Sequence, residues 1–228
     1  MDNNYQFKII VVGGVGVGKT CCIQRFCNNL YNPEYKVTIG ADYIHSSVHV
    51  RQGGKDIKVA VNFWDIGGQN KIYKNQTMDK SLQNGYLTLD LTRAYYSHSF
   101  GCIVVGDLSD MTNFLADIKK WKRDVDEKVR FPNTNEQEKI PIILMINKVD
   151  IARNNYTSEI RTELSDLDFD GIFCTSALTG EGLKEAIEFL TLIMIEKFQI
   201  VKQKYPQPSS DNIIDPERTQ VKKSWCCW

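Results

Sequence analysis

"FKIIVVGGVGVGKT", residues 7–20, joins a β-branched apolar run to a glycine-rich loop ending in lysine and threonine. The run Phe7–Gly13 suits a buried parallel strand, which carries apolar side chains on both faces. Gly13, Gly18, Lys19 and Thr20 keep the spacing G-x-x-x-x-G-K-[ST]. Glycines let successive backbone N–H groups turn inward around an anion. The helix that follows, predicted from about Gly18 to Asn28, offers its positive end to the same point. Phosphate contacts are therefore expected along Gly14, Val15, Gly16, Val17, Gly18, Lys19, Thr20 and Cys21. Lys19 is placed to neutralise the β- and γ-phosphates, and the Thr20 hydroxyl to bind Mg²⁺.

Working outward, "YIHSSVHV" (43–50) and "DIKVAVNFW" (56–64) flank "RQGGK" (51–55). Ile57, Val59, Val61 and Phe63 alternate, so the pair reads as a hairpin with a glycine turn. "FGCIVVGD" (100–107), "IPIILMIN" (140–147) and "GIFCTSA" (171–177) are further buried-strand candidates. Between them Phe114, Ile118, Trp121, Val125 and Val129 recur at helical spacing. Leu183, Ala186, Ile187, Leu190, Met194 and Phe198 do the same, with Glu185, Glu188 and Glu196 facing away. Strands alternating with helices imply an α/β three-layer sandwich around a mostly parallel sheet. The period stops at about Val201. Residues 1–200 therefore read as one domain, and 201–228, with proline, serine and charge, as a flexible tail.

Composition narrows the function. The chain has 228 residues, enough for one domain and an appendage. Lysine plus arginine number 28 and aspartate plus glutamate 28, so no global charge argues for nucleic acid. No apolar run approaches the roughly 18–20 residues a membrane span needs. "MDNNYQF" lacks the layout of a secretory signal, so a reducing compartment and free thiols are expected. Cys21, Cys22, Cys27, Cys102 and Cys174 lie among apolar residues as small hydrophobes. His45 and His49 share a strand face without nearby carboxylates and read as solvated side chains.

The loop alone does not choose a base. "NKVD" (147–150) does, because the Asp150 carboxylate can accept from both N1–H and the exocyclic amine of guanine. Adenine lacks that donor pair, and an unmet buried acceptor costs about 1–3 kcal/mol. Asn147 would brace neighbouring loops and the Lys148 stem would cover the ring. Ser176, Ala177 and Leu178, in "TSAL", line the same edge, the Ala177 N–H facing the guanine carbonyl. In "WDIGGQ" (64–69), Asp65 is placed to hold Mg²⁺ through water and the Gly68 N–H to touch a γ-phosphate. Gln69 could orient an attacking water. Thr38, in "VTIGAD" (37–42), can complete the metal shell only when the γ-phosphate is present, which would make its loop a switch.

With these pieces in order the chain resembles the Ras-like small GTPases, and more closely the Rab family, over about residues 6–200 and the terminus. "TIGAD", "WDIGGQ", "YY" (95–96), "NKVD" and "TSA" carry the likeness. It implies a P-loop NTPase three-layer sandwich whose six-stranded, mostly parallel sheet has helices on both faces and one antiparallel hairpin strand. It implies GTP and GDP as ligands, Mg²⁺ as cofactor, and GTP hydrolysis with Gln69 and Lys19 as catalytic residues. It also implies that Tyr31 packs on the base, and that Tyr43, Trp64 and Tyr95 form an effector surface. Residues 31–43 and 65–78 would be ordered by GTP and released on hydrolysis. Effectors would bind the ordered form, an exchange factor would reload it and an activating protein would hasten turnover. "KWKRDVDEKVRFPN" (120–133) looks like the Rab branch associated with lysosome-related organelles and mitochondria.

The terminus "WCCW" is not a C-a-a-X box, because Trp225 stands fourth from the end. Paired cysteines, Cys226 and Cys227, match a Rab-type site for double geranylgeranylation; a free pair or half a metal site are the other readings. Two lipids anchor stably where one does not, and Lys222 and Lys223 add only a thin basic patch. The resemblance then implies the cytoplasmic face of intracellular membranes, with a prenylation escort and a GDP-dissociation inhibitor returning the chain to the cytosol.

Four features depart from the family pattern. Val15 stands where glycine or serine is frequent, facing the γ-phosphate and the space Gln69 must enter. Slow hydrolysis with binding preserved is the expectation, and an interaction module with little or no hydrolysis is the rival. Gly67 replaces alanine and should blur the placement of Gln69. Asn70 replaces glutamate. The stretch from Gln69 to Tyr95 is longer than the family's, with the excess near residues 79–91. It reads either as a functional insertion or as a translated intron.

Overall fold

A computed structural model of the chain describes residues 5–34, 36–68, 94–134 and 138–205. In chain order these form β1 (Tyr5–Gly13), α1 (Lys19–Asn28), β2 (Ala41–Gln52), β3 (Lys55–Ile66), β4 (Gly101–Asp107), α2 (Phe114–Lys128), β5 (Ile142–Asn147), the short α3 (Val149–Ala152), α4 (Ser158–Ser165), β6 (Gly171–Cys174) and α5 (Leu183–Lys204). One six-stranded sheet has the order β2-β3-β1-β4-β5-β6. β2 runs antiparallel to β3, and every other pair is parallel. The fold class expected from the sequence is the one observed.

The strand period divides the core. Along β1, Phe7, Ile9 and Val11 face one side, where they meet Ile23 of α1 and Leu190 and Met194 of α5. Ile10 and Val12 face the other, where Phe114, Ile118, Trp121 and Val125 of α2 pack with Val149, Ile160 and Leu164. Each such side chain, once fully buried, contributes about 1.5–3 kcal/mol. The hairpin turns on Gly53 and Gly54, both at positive φ, with Gln52 paired to Lys55.

Three elements exceed the sequence reading: the one-turn α3, α4 and the end of α5. α4 was not expected; Thr157 starts it, its hydroxyl accepting from the Ile160 N–H at 3.5 Å, and only Ile160 and Leu164 are buried along it. The last helix continues past Val201, which is buried, to Lys204. Lys197 and Lys204 both hold Glu138 at 2.7 Å, fastening the helix end to the loop before β5. The described cysteines are free thiols. His45 and His49 are exposed, with His45 Nδ1 2.7 Å from Asn62 Oδ1. Among the described residues no helix is long and apolar enough to cross a membrane.

The parallel strands β1, β3, β4, β5 and β6 all end on one edge of the sheet, so the loops after them converge there.

Candidate functional site

The glycine-rich loop needs its glycines for space and for conformation. Gly16 and Gly18 adopt φ of 75° and 97°, the left-handed region. A side chain on Gly18 would strike the Asn147 amide. α1 begins at Gly18 without a side-chain cap and without an acid in its first turn, so its positive end is left for an anion. Lys19 is buried and folds back across the loop, its Nζ donating to the carbonyls of Gly13 at 3.0 Å and Gly14 at 2.8 Å. Burial lowers the pKa of this ammonium, and the charges of Asp65 and Asp117 oppose that shift. Asp117, in the first turn of α2, fills the room above Gly14: a Cβ there would lie 2.6 Å from its Oδ2. No sequence signal announced this contact.

The three expected metal ligands meet. Thr20 Oγ1 donates to Asp65 Oδ2, Thr38 Oγ1 lies 3.1 Å from Thr20 Oγ1, and Thr38 also donates to Asp65 Oδ2 at 3.4 Å. Asp65 is fully buried, and its Oδ1 has no hydrogen-bond partner among the described residues. Burial raises the carboxyl pKa, against the Thr20 hydrogen bond and the Lys19 charge. An orphaned carboxylate oxygen beside two hydroxyls suits a hard, oxygen-seeking dication, so Thr20, Thr38 and Asp65 fit Mg²⁺.

The loops expected to read the base differ from expectation in two details. Asn147 does brace them: its Nδ2 donates to Val17 O at 2.9 Å, and its Oδ1 accepts from the Ala177 N–H at 3.1 Å. That N–H is therefore committed to Asn147 rather than open toward a guanine carbonyl. Asp150 is exposed at the rim, not buried. Its direction is set by the Ser176 hydroxyl, which donates to Oδ1 at 2.6 Å and leaves Oδ2 without a partner among the described residues. Lys148 sits at φ 66° with its ammonium 2.6 Å from Asp107, so its position is fixed by an ion pair unseen in the sequence. Tyr31 and Leu178 are exposed, and the Cys21 thiol donates to Asn32 O at 3.9 Å.

Gly68 lies against the glycine loop; a Cβ on it would sit 2.6 Å from Gly14 C and 2.7 Å from Val15 N. Val15 itself is half-exposed. Gln69 itself, Asn70, residues 79–91, Cys226 and Cys227 fall outside the described residues. Tyr43 meets Trp64 at 5.7 Å and Trp64 meets Tyr95 at 6.2 Å between ring centroids, so the three aromatics adjoin. Lys8 adds what the sequence did not suggest, an ammonium 4.3 Å from the Trp64 ring centroid.

Comparison with known proteins agrees with this geometry. The Ras family profile matches residues 8–196. The chain is 33% identical over 228 residues to Ras-related protein Rab-32C of Dictyostelium discoideum, covering 99% of this chain and 90% of that protein. It is 32% identical over 227 residues to human Ras-related protein Rab-32, covering 97% and 89%. Human Ras-related protein Rab-7L1 is 28% identical over 197 residues, covering 86% and 84%. With the six-stranded sheet, the glycine-rich loop at its edge and these matches over most of its length, the chain belongs to the Ras family, among the Rab small GTPases.

Proposed function

We propose that this chain is a membrane-anchored GTP/GDP switch in vesicle trafficking that hydrolyses GTP slowly. The observation that carries the reading is the meeting of Thr38 with Thr20 and Asp65, because it couples a surface loop to the metal position. Bound Mg²⁺ would neutralise charge on the β- and γ-phosphate oxygens. The chain's own residues do the rest. Lys19 and the uncapped start of α1 hold the phosphates, and Asp150 accepts from the guanine edge. Gln69 orients the attacking water. Slowness is proposed on Val15, which carries a branched side chain in the stretch of glycine-rich loop whose backbone Gly68 approaches. An arginine supplied by an activating protein would have to enter the same space, and such an arginine is worth about 10³–10⁵ in rate.

Effectors would read Tyr43, Trp64 and Tyr95 when the Thr38 loop is closed. An exchange factor, an activating protein, an escort and a GDP-dissociation inhibitor are the proposed partners, and geranylgeranyl groups on Cys226 and Cys227 the proposed anchor. The site would sit on the cytoplasmic face of intracellular membranes.

Competition between GTP and ATP for purified protein, followed by phosphate release per bound GTP, tests the reading. GTP should win and turn over slowly. Equal competition by ATP would overturn guanine selectivity, and release of no phosphate, even with an activating partner, would favour a nucleotide-holding interaction module.

A further inference from the structure

Asp117 is a carboxylate that neither the metal position nor the base-reading loops use. It stands in the first turn of α2, where the positive end of the helix favours an acid. From there it reaches the glycine-rich loop: a Cβ on Gly14 would lie 2.6 Å from its Oδ2. Gly14 does not adopt a positive φ, so glycine serves here for room, and a charged group from a distant element takes that room. Among the described residues no hydrogen bond or ion pair holds the carboxylate. The Asn113 amide, one turn earlier, is bonded to Asp110 instead, at 3.0 Å. The carbonyl of the same Gly14 takes Lys19 Nζ at 2.8 Å, so Asp117 and Lys19 share one loop residue as neighbour. The Asp117 charge supports the buried ammonium, as that of Asp65 does.

The two acids fare differently once a polyphosphate arrives. Asp65 faces Thr20 and Thr38, where Mg²⁺ would sit and offset its charge. Asp117 faces the loop backbone, and Lys19 would give its charge to the phosphates. One negative charge is then left beside the cradle with no cation assigned to it.

We propose that Asp117 is an electrostatic release group: its carboxylate, packed against Gly14 next to Lys19, repels the bound polyphosphate and shortens the time the nucleotide stays. Repulsion scales with ligand charge, so the triphosphate is loosened more than the diphosphate.

The inference rests on the proposed guanine-nucleotide site. Its test is the release rate of fluorescent GDP and of a fluorescent non-hydrolysable GTP analogue, at low and high salt, from wild type, Asp117→Asn and Asp117→Ala. At low salt Asp117→Asn should release the analogue about tenfold more slowly and GDP about threefold more slowly. Both gains should shrink as salt rises. Asp117→Ala should move in the same direction, because the charge and not the shape is at issue. Release from Asp117→Asn that is unchanged or faster than wild type, or slowed equally for both nucleotides, would overturn the role. So would an Asp117→Asn protein that fails to fold, since the carboxylate would then serve the packing of α2 on the loop. A wild-type protein that retains neither nucleotide refutes the site reading itself, a distinct result.

Discussion

Asn147 and Val17 are joined by a hydrogen bond, Nδ2 to carbonyl at 2.9 Å, across a separation of 130 residues. The same side chain accepts from the Ala177 N–H, so one amide ties the phosphate loop to the loop after β6. Replacing Asn147 by alanine strands a buried carbonyl and a buried N–H, each worth about 1–3 kcal/mol. Asn147→Ala should therefore lower stability by about 2–4 kcal/mol in urea titration and release nucleotide faster.

Asp150 tests the choice of base. Its Oδ2 is the acceptor left after Ser176 claims Oδ1. Asp150→Asn is isosteric but turns an amide donor toward guanine's own donors, which should weaken GTP binding by about 10²-fold or more. Xanthosine triphosphate, with a carbonyl in place of the amine, should gain. Titration with fluorescent nucleotides reads both, and an unchanged GTP affinity would remove Asp150 from base recognition.

Val15 tests the slow step. Removing its side chain trims the loop that Gly68 approaches and leaves Lys19, Thr20 and Asp65 in place. Single-turnover hydrolysis by Val15→Gly should exceed that of wild type, by about tenfold if the barrier falls by about 1.4 kcal/mol. Equal rates would show that the loop accommodates valine.

These residues show which parts of the molecule a sequence displays. β4 and β5 are buried on both faces, so their unbroken apolar runs announced them, and β3 alternates in burial as its sequence alternates. Lys19, Thr20, Asp65 and Asn147 stood out by their motif spacing, and the structure brings Lys19 across the glycine-rich loop, Thr20 to Asp65 and Asn147 to Val17. Contacts between distant segments did not stand out. Asp117 against Gly14, Lys148 on Asp107 and Ser176 on Asp150 follow no local period, because they depend on which loops the sheet order brings together. Val201 was missed because one apolar residue among Lys202, Gln203 and Lys204 makes no stripe. α4 was missed for a similar reason, with two apolar anchors in eight residues.

Glu138 gives a pH dependence with a definite sign. Hydrogen bonds from Lys197 and Lys204 hold its pKa down to about 2 from 4.5. A carboxyl lowered by folding stabilises fully above its unfolded value and loses that effect as pH falls through the folded one. The last turn of α5 should stay protected from neutral pH to about 4 and fray as pH falls toward about 2. Glu138→Gln should fray at every pH. Hydrogen exchange of residues 199–204 distinguishes the two, and identical exchange in both proteins would exclude the clasp.

Strand β2 lies at the margin of the sheet, laddered on β3 alone, and its two halves live differently. Val48 and Val50 are sunk in the core, whereas Asp42, Tyr43 and His45 stand in solvent. β2 is therefore a cantilever, clamped by Val48 and Val50 and held near Thr38 mainly by its ladder to β3. Such a beam can flex at the ligand end while the packed side chains behind it stay still, so nucleotide-driven motion need not be repaid by melting the interior.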